Sequence, residues 1–71
     1  MTVELMVHNA NQIAAFFAPY PADEAVASVA DHLRKFWEPR LRAQLVAYEE
    51  QGGAGLHELA LQAAKRLAAP I

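Results

Sequence analysis

The chain has 71 residues, a formal net charge of −2 and no cysteine, which leaves room for one domain and no disulfide to staple it. Its apolar runs are far shorter than the ~20 residues that cross a bilayer, and its first basic residue is Arg34, so neither a membrane span nor a secretory leader is expected. An apolar fraction of 55% is too high for a disordered chain, and the mild acidic excess argues against general affinity for nucleic acid.

Alanine supplies 16 of the apolar residues, so the bulky remainder is expected to do nearly all the burial. A domain of this size buries only roughly 60% of its unfolded surface and commonly leans on a disulfide, a metal or a partner. With no cysteine and no metal-binding spacing, the remaining device is a partner: a different chain, or another copy, so that an isolated chain is free to self-associate. Absence of cysteine also fits a reducing compartment.

Ala and Leu dominate, and both are strong helix formers; the β-branched residues number eight. Pro19-Tyr20-Pro21, Pro39 and Gly52-Gly53-Ala54-Gly55 punctuate the chain. The expectation is one all-α domain over residues 1–71, a small bundle of three to four short helices at about 3–18, 21–36, 39–51 and 56–69.

Thr2 is placed to cap the first helix, with Glu4 near the positive end of its dipole. Met6, Ala10, Ile13 and Phe17 form an apolar stripe that Leu5 and Phe16 widen. Pro19 stops the helix by pushing Ala18 out of the α region. The second helix starts near Pro21–Asp23, with Val26, Val29, Leu33 and Phe36 on its buried face. A break is expected at Trp37-Glu38, because Pro39 suits a first helical turn and would kink a continuous helix. Leu41, Leu45 and Tyr48 form the third stripe, and Gly52 is a natural C′ residue. On the fourth helix Leu56, Leu59, Ala60, Ala63 and Leu67 make a narrow face, expected to dock weakly or on a partner; Pro70 ends it.

The segment His32–Arg42 holds four of the six basic residues and the only tryptophan. Three readings compete for it. One is a protein-binding hot spot, since Trp and Arg dominate such spots. The second is a nucleic-acid patch, with phosphate contacts and stacking on Trp37. The third is a helix junction in which Phe36 and Trp37 plug the core. Asn9 and Gln12, three apart on the first helix, sit at the edge of its stripe, where they either bond a partner's backbone or tie the helix to a neighbouring loop. His8, His32 and His57 fall on different helices without metal-ligand spacing. Ser28, the sole serine, has no supporting base, and the carboxylates Asp23-Glu24 and Glu49-Glu50 sit at helix ends where solvated charge is ordinary. The glycine-rich stretch lacks both the preceding strand and the following Lys-Ser/Thr of a phosphate loop, and reads as a helix cap and a tight turn.

Three blocks in order, Asn9-Gln12-Ile13 with Phe16-Phe17, His32-Leu33-Arg34 with Phe36-Trp37-Glu38-Pro39-Arg40-Leu41-Arg42, and Gly52-Gly53-Ala54-Gly55-Leu56, resemble the delta subunit of NAD-dependent formate dehydrogenase. They span about residues 5–59; Leu41 stands where methionine is common, and the tail after Ala60 looks like an individual extension. The resemblance implies a non-catalytic accessory or assembly subunit of a soluble cytoplasmic complex that oxidises formate and reduces NAD. It implies no cofactor in this chain. A catalytic alpha subunit would carry molybdenum bis-pterin and iron–sulfur clusters, a beta subunit flavin, and a gamma subunit another cluster. The partner is then the alpha subunit, contacted through Arg34, Trp37, Arg40 and Arg42, with Asn9, Gln12 and Phe16 in second rank. The alternative is a small nucleic-acid-binding or regulatory interaction domain using residues 32–42.

Overall fold

The computed structural model describes residues 2–69. They form four helices, α1 (Val3–Phe17), α2 (Ala22–Phe36), α3 (Pro39–Glu50) and α4 (Glu58–Ala68), and no strand. The all-α expectation and the positions of the breaks are met. Pro70, expected to end the last helix, lies outside the described residues.

The helix ends follow local chemistry. Thr2 caps α1, its Oγ1 accepting from the Leu5 N–H at 3.2 Å. Pro21 is the N-cap of α2 rather than its first helical residue, and Asp23 and Glu24 lie in the first turn. Trp37 and Glu38 are both extended, so α2 and α3 are separate helices with Pro39 opening the second. At the end of α3 the Gly52 N–H donates to Glu49 O at 2.9 Å and the Gly53 N–H to Tyr48 O at 3.0 Å. That pairing satisfies two carbonyls of the last turn and needs positive φ, which Gly52 (113°) and Gly53 (61°) supply. The fourth helix starts later than the spacing predicts: Leu56 precedes it, and His57 is its N-cap, Nδ1 accepting from the Leu59 N–H at 3.0 Å.

Packing departs from the sequence expectation in two ways. First, alanine is a core residue here. Met6, Val29, Leu33 and Leu45 are the largest fully buried side chains, and around them Ala10, Ala14, Ala25, Ala30, Ala60, Ala63 and Ala64 are also sealed from solvent. Second, α4 does not dock weakly: it packs against each of the other three helices, most heavily on α2. Ala60, Ala63 and Ala64 present almost no side chain, so neighbouring backbones come close and dispersion contacts replace side-chain bulk. Ala63 and Ala64, in the tail expected to be an individual extension, are therefore part of the core.

Three large apolar residues expected inside are outside. Leu5 is 48% exposed, Phe16 69% and Phe36 71%. The buried track of α1 runs Met6, Ala10, Ala14, and Phe16 follows Ala14 by two residues, about 200° round a helix. Phe36 is the last residue of α2, where the chain turns away, and Trp37 rather than Phe36 packs against the core.

Candidate functional site

The helices α1 and α3 scarcely touch, while each packs on α2 and α4. This leaves an opening between them, above the C-terminal end of α2. Its first part is a groove of about 540 Å³ lined by Asn9, Gln12, Ile13, Phe16 and Phe17 of α1 with His32 and Trp37. A second part continues from Asn9 and Trp37 to Phe36, Glu38, Arg40, Leu41 and Gln44. Trp37, half-buried, is shared by both and packs inward against the core, so it forms a fixed floor.

Aromatic rings define this surface. Phe16 meets Phe17 edge-to-face at 5.0 Å between centroids, and Phe17 meets Tyr20 at 5.8 Å. His32 lies over Phe36 at 4.7 Å, the two being one helical turn apart. These contacts hold the rings in place without covering them, as the exposures of Phe16 and Phe36 show.

The fold sorts the seven sequence-predicted residues into two groups. Asn9, Gln12, Phe16, Trp37 and Arg40 line two neighbouring depressions that share Asn9 and Trp37. Arg34 and Arg42 do not join them; they line a different depression, bounded by Ala43, Val46, Ala47 and Glu50 of α3 and the end of α4. Arg42 is also engaged within the chain. Its Nη1 donates to Arg34 O at 2.9 Å and to Trp37 O at 2.7 Å, closing carbonyls that the end of α2 leaves open. Among the described residues the guanidinium groups of Arg34 and Arg40 have no hydrogen bond or ion pair, and Lys35 pairs with Asp31 at 3.0 Å in an exposed bridge.

A tie from α1 to the loop before α4 is made by Asn11, which the sequence expectation passed over. Asn11 Nδ2 donates to Gly55 O at 2.9 Å, and its Oδ1 accepts the His57 N–H at 2.8 Å. Asparagine is a poor mid-helix residue, and that was the available signal. Phe36 was missed as a surface residue; its four-residue spacing from His32 is the pattern that places both rings on one face.

Candidate chemistry inside the chain is sparse. Among the described residues no three of His, Cys, Asp and Glu converge as a metal cluster would require, and no buried side-chain nitrogen or oxygen lacks a partner. The chain has no thiolate to ligate an iron–sulfur cluster. The glycine stretch is a cap and turn, closed by Tyr48 Oη donating to Ala54 O at 2.6 Å and by the Leu56 N–H donating to Gly53 O at 3.0 Å. No described helix is long and apolar enough to cross a membrane.

Fold and site together define a small helical chain with an open aromatic surface, the kind of surface that proteins use to hold one another. Over residues 6–64 the sequence matches the family model described as "NADH-dependant formate dehydrogenase delta subunit FdsD", and the chain belongs to that family. The matched span reaches Ala64 and takes in the three buried alanines of α4. Among curated proteins and among solved structures no match was found.

Proposed function

We propose that this chain is a non-catalytic accessory subunit of a NAD-dependent formate dehydrogenase, binding and stabilising the molybdenum-containing alpha subunit through the groove between α1, α2 and α3. One observation carries the reading: the fold gathers Asn9, Gln12, Phe16 and Trp37, residues from two separate sequence blocks, along one open apolar surface. Burying an exposed phenylalanine is worth about 2 kcal/mol, so covering Phe16 and Phe36 offers a useful share of a stable association. The molybdenum, iron–sulfur and flavin groups belong on this reading to the alpha, beta and gamma chains, in the cytoplasm. The separation of Arg34 and Arg42 from Arg40 weighs against the nucleic-acid alternative, since a phosphate backbone is best tracked by a continuous basic strip.

The test is co-expression of the tagged full chain with the other formate dehydrogenase subunits, followed by affinity capture. The native chain is expected to bring the alpha subunit with it. The Phe16→Ser variant is expected to fold and to lose most of that capture. An alpha subunit absent from the native eluate overturns the reading.

A further inference from the structure

The second half of the groove carries a charge that the chain itself leaves unanswered. Arg40 sits in the first turn of α3, where the helix dipole disfavours a cation, and α3 has no acidic residue in that turn to offset it. Glu38 lines the same opening yet makes no ion pair with Arg40. Arg42, two residues on, shows what a structurally employed arginine looks like here: its guanidinium is bound to two carbonyls. Arg40 has no such employment and lines the same depression as the exposed ring of Phe36.

We propose that the groove receives a segment of a formate dehydrogenase subunit that pairs an aromatic or branched apolar side chain, seated against Phe16, Ile13 and Trp37, with a carboxylate held by Arg40. The proposal rests on the reading above, that this surface meets the enzyme complex, and adds the chemistry of what enters it. The carboxylate follows from charge complementarity: carbonyls of a neutral segment could accept from the guanidinium, but only an acid also neutralises a cation that loses its water when Phe36 is covered. A fork of N–H donors on Arg40 suits a carboxylate in two-point contact. Gln12, exposed on the opposite rim, offers one donor and one acceptor to the backbone of the same segment. A second copy of the chain would bring Glu38 as well as Arg40 to a two-fold interface, and the identity of the cross-linked peptide tells that occupant from a foreign segment.

The experiment places a photoreactive benzophenone in the groove as Phe36→p-benzoylphenylalanine in the full chain, co-expressed with the other subunits. The assembled complex is isolated through a tag on the alpha subunit, irradiated, and the cross-linked peptide identified by mass spectrometry. The expected product joins position 36 to a peptide of another subunit in which an Asp or Glu lies within one helical turn of an aromatic or branched apolar residue. Arg40→Glu is then expected to cut retention of the chain on the complex by roughly tenfold or more, with unchanged helical circular dichroism, and replacing the identified acid by Arg is expected to restore it. The inference is overturned by a cross-link to a second copy of this chain, by a cross-linked segment without an acid, by the absence of any cross-link in an assembled complex, or by an Arg40→Glu chain retained as well as the native one. A cross-linked segment without an acid, or a retained Arg40→Glu chain, leaves the accessory-subunit reading standing; a cross-link to a second copy, or none at all, leaves the accessory role but removes the groove as its contact; failure of the unmodified chain to assemble at all removes both.

Discussion

Two regions of this chain contain similar raw material and end in opposite states. The turn between α3 and α4 is closed. Glycine backbone closes the helix, Tyr48 clamps Ala54 from α3, and Asn11 reaches across from α1 to hold both Gly55 and His57. The junction of α1, α2 and α3 is open, with two phenylalanines in solvent and an arginine without a partner. The contrast teaches where this small chain has spent its stabilising contacts: on fastening the alanine-rich α4 into the core, and not on covering its aromatic groove. Variants in the two regions should therefore separate cleanly, one set losing stability and the other losing assembly.

The largest effect is expected at Gly53. Its positive φ disfavours any side chain, and a methyl there would run into Leu61 and crowd Leu56. Gly53→Ala should cost about 2–3 kcal/mol, most of it the left-handed backbone and the rest the displacement of the Leu61 methyl, read as a fall of at least about 8 °C in the thermal midpoint, at roughly 4–8 °C per kcal/mol for a domain this small. Gly52→Ala meets no atom, but its φ of 113° lies outside the left-handed well that Gly53 occupies at 61°, so backbone strain alone should cost about 1–3 kcal/mol; a Gly52→Ala chain as stable as the native one would contradict that strain.

Arg42→Ala comes next. It removes the donor from two carbonyls at the end of α2, at a cost of about 1–3 kcal/mol in chemical denaturation. A stability unchanged by this variant would show that water replaces the guanidinium freely. Asn11→Ala breaks two hydrogen bonds at once and should cost about 1–2 kcal/mol. Asn11→Asp keeps the acceptor for the His57 N–H and loses the donor to Gly55, so it should fall between the two. Hydrogen exchange should report the Asn11→Ala loss first at the amides of residues 55–59; protection lost evenly over the chain would contradict a local latch.

The smallest effects on stability belong to the open region. Arg40→Ala should change the folding free energy by less than about 0.5 kcal/mol and Phe16→Ser by less than about 1 kcal/mol, since both side chains are exposed and Phe16 loses only its edge contact with Phe17. Both should nevertheless weaken capture of the complex. A Phe16→Ser chain that unfolds would place that ring in the core after all.

Helix identity and the helix ends other than the start of α4 were legible in the residues because they depend on neighbours in sequence. Pro39 sets the break after Trp37, Thr2 caps α1, and Gly52 begins the turn that ends α3. The three residue blocks that carry the family likeness are patterns along the chain, and the family model matches residues 6–64. Membership of the buried stripe was only partly readable. Met6, Val29, Leu33 and Leu45 went inside as their spacing requires, but an apolar stripe wide enough to include Leu5, Phe16 and Phe36 exceeds what four short helices can cover.

What only the tertiary structure decided is which side of each stripe another helix would reach. Spacing fixes a residue's angle about its own helix axis and says nothing of the direction from which a neighbour arrives. Alanine made the difference: by letting α4 approach α2 and the rest closely, it drew the core toward Ala60, Ala63 and Ala64 and away from the rings at the α1–α2–α3 junction. The same geometry divided one basic segment in two, turning Arg42 back onto α2 and leaving Arg40 at the groove. Along the chain those arginines are near neighbours; in space the fold has given one a structural bond and left the other facing solvent.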